Sequence, residues 1–144
     1  RQIALAKKVK LPIIIHNREA TADILKILQE ENAAEVGGIM HCFSGSVEVA
    51  RQCIEMNFLI SLGGPVTFKN AKKPKEVAKE IPLSHLLIET DCPYLTPHPF
   101  RGKRNEPSYV KYVAEAIAEI KNVSFDEVAK TTMENAKRLF AIDR

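Results

Sequence analysis

"LPIIIHNREATADILKILQEENAAEVGGIMHCF", residues 11–43, reads as one strand–helix–strand unit. "LPIIIHNR" (11–18) is a short, β-branched apolar run closed by polar residues, the pattern of a buried strand. Ile24, Leu25, Ile27 and Leu28 then fall on one side of a helix. "VGGIMHCF" (36–43) is a second run of the same kind. Neither run alternates apolar with polar residues. Strands of that type have both faces covered, as in parallel sheets flanked by helices.

The unit continues along the chain. A helix is expected from Ser46, a plausible N-cap, to Met56. "FLISLGG" (58–64) is a third strand, a basic helix follows near Pro74–Glu80, and "HLLIETD" (85–91) is a fourth strand. After a proline-broken basic loop, Pro107 opens an amphipathic helix to about Asn122, proline being favoured in a first turn. One or two helices close the chain, with Ser124 and Glu127 at capping-box spacing. Strand and helix alternate at intervals of about 25 residues, which predicts an α/β fold of parallel βα units. Upstream, Ile3, Ala6 and Val9 recur at helical spacing, so the chain opens within a helix and without methionine. That pattern reads as a fragment. The alternative is an ordinary helical start whose methionine was removed.

The 144 residues suit one domain, and 45% hydrophobic content is enough for a core. A net charge of +3 is too small to argue for a nucleic-acid partner, so any electrostatic case rests on local clusters. Three widely spaced cysteines are not a disulfide framework and fit a reducing cytoplasm. No apolar run approaches the ~20 residues of a membrane span, and no signal peptide is visible.

In α/β folds function sits at the C-terminal ends of the strands. Those ends carry His16, His41, Gly63–Gly64 and Asp91. Two histidines and an aspartate on one rim suit a catalytic divalent cation, and the glycines leave space. Strand alternation puts Ile14 on the face of His16, Ile39 on that of His41, and Glu89 on that of Asp91. Glu89 then lies one layer below the rim, where a carboxylate needs a partner or a metal. The same alternation turns Cys42 and Cys92 away, to lie as core thiols under the helices. His85, at the far end of its strand, is expected on the surface.

Each reading has a plainer rival. The histidines could be structural, Asp91 could cap its loop, and Glu89 could pair with a buried base. Ser44, Gly45 and Ser46 open a helix, where free N–H groups could hold a phosphate or the serines could simply cap. Arg101, Lys103 and Arg104 suit phosphodiester recognition; the alternative is a solvated loop tethered by salt bridges, for instance to Glu106. His98 could reach the site. Lys69, Lys72, Lys73, Lys75 and Lys79 read as a solvated helix face.

"PIIIHNR", "HCFSG" and "ETDCPYLTPHPFRGKRNEP" resemble the motifs of TatD-family metal-dependent DNases, within the amidohydrolase superfamily. The resemblance implies a TIM-type (β/α)8 barrel with one or two divalent ions (Zn²⁺, Mg²⁺ or Mn²⁺), and His16, His41 and Asp91 as ligands. Glu89 matches an acidic position of the family, placed behind the ligands with a share in catalysis. DNA is the implied substrate, with Asp91 orienting or deprotonating water and Arg101 and Arg104 neutralising phosphate. Such a barrel takes about 250 residues. The family's first-strand HxH pair and fourth-strand glutamate ligand are not in this sequence. The whole chain, 1–144, therefore resembles the C-terminal half, strands five to eight. Open sheet edges make a homo-oligomer possible. Two rivals remain: a metal hydrolase of another ester or an amide, and a non-catalytic half-barrel that oligomerises.

Overall fold

The computed structural model describes residues 1–142. Four strands, β1 (Ile13–His16), β2 (Gly38–His41), β3 (Phe58–Leu62) and β4 (Leu86–Ile88), form one parallel sheet in the order β1-β2-β3-β4. Six helices surround them: α1 (Gln2–Val9), α2 (Thr21–Glu30), α3 (Val47–Glu55), α4 (Lys72–Glu80), α5 (Val110–Lys121) and α6 (Phe125–Phe140). The expected order of elements is the observed one, and the tail is a single helix. Its cap is real, since Ser124 accepts a hydrogen bond from the Glu127 N–H. Pro107 opens a 3₁₀ turn, Pro107–Tyr109, that leads into α5.

The strands are shorter than their apolar runs. Residues Leu83–His85 form a 3₁₀ turn before β4, so His85 is half-buried at that turn rather than on the surface. Beyond Ile88 the ladder continues by one bond, from the Glu89 N–H to the Leu62 carbonyl.

Alternation sorts the side chains as expected. Met40, Phe58, Ile60, Leu62 and Leu86 turn toward the helices and pack with Val77, Val113, Ile117 and Val128. Ile39, Leu59 and Leu87 face the other way, against Ala136 and Leu139 of α6. α6 is held to the start of β4 by Asn135, whose Nδ2 donates to the Leu83 and Leu86 carbonyls, both at 2.9 Å. A buried amide tied to two backbone acceptors fixes a helix more specifically than apolar contact does.

One strand departs from the expectation that both faces are covered. β1 is at the sheet edge, and Ile14 is 61% exposed. A cavity of about 530 Å³ lies between Ile14, Ile39 and Leu87 on the sheet and Phe125, Met133 and Phe140 on α6. Leu5, Val9 and Leu11 are also exposed, as is Met133 across the groove. The half-barrel thus presents apolar surface along the edges where its sheet stops. No helix among the described residues is long and apolar enough to cross a membrane.

Candidate metal centre

Parallel registry places the two rim histidines side by side. His16 is paired with His41 across β1 and β2, and the ring centroids are 6.0 Å apart. Asp91 reaches the same place from beyond β4. It is not on a strand; its φ of 54° is left-handed, and the turn delivers Asp91 Oδ1 to 3.4 Å from His41 Nε2. Cys42, directly after His41, is also left-handed at φ 45°. Non-glycine residues pay for that conformation, and two of them, one just after β2 and one beyond β4, mark a rim shaped for a task.

Glu89 lies one step beneath. Both its oxygens approach His41 Nδ1, Oε1 at 2.9 Å and Oε2 at 3.1 Å. Only Oε2 has hydrogen-bond geometry, and it also accepts from the Cys42 N–H at 3.2 Å. The buried Oε1 has no hydrogen-bonding partner among the described residues. A carboxylate behind a histidine sets the tautomer: Nδ1 carries the proton and Nε2 points its lone pair outward. That lone pair then faces Asp91, an acceptor facing an acceptor, which is satisfied by a cation between them or by a second proton on His41.

The 3.4 Å spacing suits a cation. An imidazole nitrogen and a carboxylate oxygen are both ordinary ligands of a divalent ion. The donor types therefore fit a divalent ion. Their number does not complete a site, because the described residues contain no group of three or more His, Cys, Asp or Glu side chains able to hold one. His16 adds a third candidate donor within ring distance of His41.

The cysteines separate. Burial, helped by the Glu89 and Asp91 carboxylates, pushes the Cys42 thiol up to about 11, so it stays protonated at neutral pH. Cys53 is the buried core thiol, raised to about 11 by burial. Cys92 is exposed, contrary to the expectation of a core position. The sheet has already ended at Ile88, and the turn at Asp91 breaks the alternation on which that expectation stood.

The loop after Asp91 is built rather than slack. Asn105, only 2% exposed, donates through Nδ2 to the Thr90 and Tyr94 carbonyls, and its Oδ1 accepts from the Glu106 N–H. The Thr96 hydroxyl donates to the Lys103 carbonyl at 2.5 Å. Gly64 lets the loop come this close, since a Cβ there would lie 1.8 Å from the Leu95 carbonyl oxygen. The tether is thus an amide network; among the described residues no ion pair joins Glu106 to Arg101, Lys103 or Arg104. Asn105 carried no signal in the sequence, because a loop asparagine is commonplace and its burial is a tertiary fact.

The other expected site residues sit around this frame. Arg101 lies over the Phe68 ring, its Cζ 3.7 Å from the centroid, and both Arg101 and Arg104 are exposed. Ser46 caps α3, accepting from the Val49 N–H at 3.4 Å. The Ser46 hydroxyl also holds the Glu48 carboxyl below its ordinary range. That helix end already has an anion beside it, and Ser44, exposed, is the serine left open to a ligand. Gly45 packs under the Phe43 ring, where a Cβ would approach to 2.7 Å. His98 stands edge-on to Phe68 at 6.3 Å, and among the described residues no hydrogen bond or ion pair links it to His41 or Asp91. Lys69, Lys72, Lys73 and Lys79 are exposed, and half-buried Lys75 donates to the Lys69 carbonyl.

Known proteins resemble this chain along nearly its whole length. Residues 1–141 match the family described as TatD related DNase. The chain is 75% identical over 142 residues to the uncharacterized metal-dependent hydrolase YabD of Bacillus subtilis, covering 99% of this chain and 56% of that protein. It is 45% identical to YcfH of Escherichia coli K12, also named an uncharacterized metal-dependent hydrolase, covering 98% and 53%. The crystal structure of YjjV, a TatD homolog from Escherichia coli K12, superposes with a TM-score of 0.90 at 31% identity, covering 98% of this chain and 54% of YjjV. The chain spans about half the length of the curated relatives it matches. The parallel sheet, the rim that gathers His41 and Asp91, and the family match over nearly every residue agree: the chain belongs to the TatD related DNase family.

Proposed function

We propose that these four βα units stand where strands five to eight of a TIM-type (β/α)8 barrel stand, and that the completed site hydrolyses DNA phosphodiester bonds with a divalent cation. The carrying observation is His41, oriented by Glu89, facing Asp91 at 3.4 Å beside a basic rim loop. His16, His41 and Asp91 would hold one or two ions. When bound, such an ion lowers the pKa of water toward ~7 and polarises a phosphoryl oxygen. Imidazoles suit Zn²⁺ and carboxylates Mg²⁺ or Mn²⁺. Glu89 keeps His41 in the productive tautomer. Asp91 orients the attacking water and takes its proton as the water oxygen bonds to phosphorus and the bond from phosphorus to the sugar oxygen breaks, the departing alkoxide taking a proton from solvent. Arg101, Arg104 and the Ser44 hydroxyl neutralise and place the phosphate. Free thiols at Cys42, Cys53 and Cys92 suit a reducing cytoplasm.

The competing reading is hydrolysis of an amide, a lactone or another ester. The basic loop favours a phosphodiester. A chimera joining this chain to the part of Bacillus subtilis YabD that it does not match gives a complete barrel for the test. With Zn²⁺, Mg²⁺ or Mn²⁺, it is expected to turn over oligonucleotides and bis-p-nitrophenyl phosphate faster than lactone or amide panels. Faster turnover of a lactone or an amide would replace the nuclease reading.

The 144-residue chain by itself carries a separate expectation. Both sheet edges are open, and apolar strands with open edges pair with other copies. We expect a dimer or larger assembly, and Ile14→Lys should weaken it by placing a charge on the exposed apolar edge. Sedimentation equilibrium showing a monomer at high protein concentration would refute this.

A further inference from the structure

Tyr94 is 71% exposed on a loop whose backbone is otherwise held in place. Its own N–H donates to the Asp91 carbonyl, and its carbonyl accepts from buried Asn105. The ring is therefore a free aromatic surface on a fixed stem, three residues from the proposed proton acceptor. Beside it is a cavity of about 290 Å³, bounded by Phe68, Leu95, Arg101 and Lys103 as well as Tyr94. Among the lining residues the Arg101 guanidinium lies over the Phe68 ring. Two π-surfaces and two cations around a small opening match one ligand chemistry, a flat aromatic group joined to an anion.

We propose that this cleft takes one unpaired nucleobase of the substrate strand, stacked between Tyr94 and the Arg101–Phe68 pair, next to the phosphodiester at the metal centre. This deepens the nuclease reading and rests on it for the substrate class. A base can occupy the cleft only when its faces are free, so paired duplex is excluded from this subsite. Stacking tolerates any base, because every base has a π-face. Arg101 then has two roles that do not conflict: one face on Phe68, and its N–H edge toward phosphate.

The test uses the 144-residue chain, which contains the entire cleft, in low salt with EDTA so that nothing is cut. Fluorescence anisotropy compares a thymidine hexamer with a hexamer of the same phosphates and abasic sugars. The thymidine strand is expected to bind about tenfold more tightly. Tyr94→Ala should remove that advantage and leave the abasic affinity unchanged, while Tyr94→Phe should keep it. Equal affinities for the two strands, or a Tyr94→Ala chain that still prefers thymidine, would overturn the cleft. If Tyr94→Ala fails to fold by circular dichroism, photocrosslinking of a 4-thiothymidine strand to the wild type decides. Attachment within residues 93–104 or at Phe68 supports the cleft, and attachment elsewhere overturns it. The two readings fail separately. Tyr94-dependent binding with no cleavage by the YabD chimera would sink the nuclease reading and leave the cleft. Cleavage that proceeds equally on abasic-flanked and normal strands would do the reverse.

Discussion

Asp91→Ala in the YabD-completed barrel is expected to lower phosphodiester turnover about a thousandfold or more. DNA affinity should stay within a few-fold. The asymmetry comes from what Asp91 touches: its carboxylate faces His41 Nε2 at 3.4 Å, and no basic rim side chain is paired with it among the described residues. On the proposed mechanism its removal deletes a metal ligand and a proton acceptor but no phosphate contact. Arg104→Gln should behave in the opposite way. Binding should weaken on all sequences alike, and the salt dependence should flatten by about one counterion, with the chemical step little changed. Arg104 is the cleaner probe of the two arginines, since Arg101→Gln also dismantles the stack on Phe68. Rates and affinities across a salt series separate these outcomes. Full turnover in Asp91→Ala would mean that the metal centre is wrongly placed. Unchanged affinity and salt slope in Arg104→Gln would make the loop a connector only.

What was legible in the sequence follows from which interactions are local. The βα repeat was legible because apolar runs and helical spacing are written in neighbouring residues, and alternation pairs Ile39 with His41 on one face, where both line the same cavity as Glu89. The place where alternation failed is instructive. Cys92 and Asp91 lie past the last ladder bond, where a left-handed turn rather than a pleat sets direction. Asp91 reached the rim by that turn, and Cys92 was turned to solvent by it. Asn105 and Tyr94 were not legible at all. One is defined by burial against carbonyls of its own loop, the other by exposure on that loop. Both are properties of the folded surface, invisible in a string where each is an ordinary loop residue. Ile14 keeps the expected face but is exposed, since what covers an edge strand is not written in the strand's own sequence.

Glu89 distinguishes a metal centre from a buried ion pair, because the two predict opposite outcomes on neutralising it. Its Oε2 holds His41 Nδ1 and the Cys42 N–H, while Oε1 is buried without a hydrogen-bonding partner among the described residues. If the carboxylate is the counterion of a charged imidazolium, Glu89→Gln leaves that charge without its partner, and stability falls by the several kcal/mol that breaking a buried ion pair costs, about 3–5. If it is there to polarise a ligand, the glutamine still accepts from Nδ1–H through its carbonyl, and the unfavourable burial of a charge is relieved. Stability without metal should then change by no more than about 1 kcal/mol. Metal affinity should fall tenfold to a hundredfold, because the imidazole loses the anion that makes Nε2 a strong donor. Denaturant melts of the metal-free chimera and titration calorimetry with Zn²⁺ or Mn²⁺ read the two quantities independently. In the 144-residue chain, calorimetry should give micromolar or weaker binding from the start, since the described residues gather too few donors, and His41→Ala should reduce it further. Tight binding indifferent to His41→Ala would put the ion elsewhere. In the chimera, a large loss of stability with metal affinity untouched would make Glu89 a structural carboxylate and leave the orientation of His41 to something else.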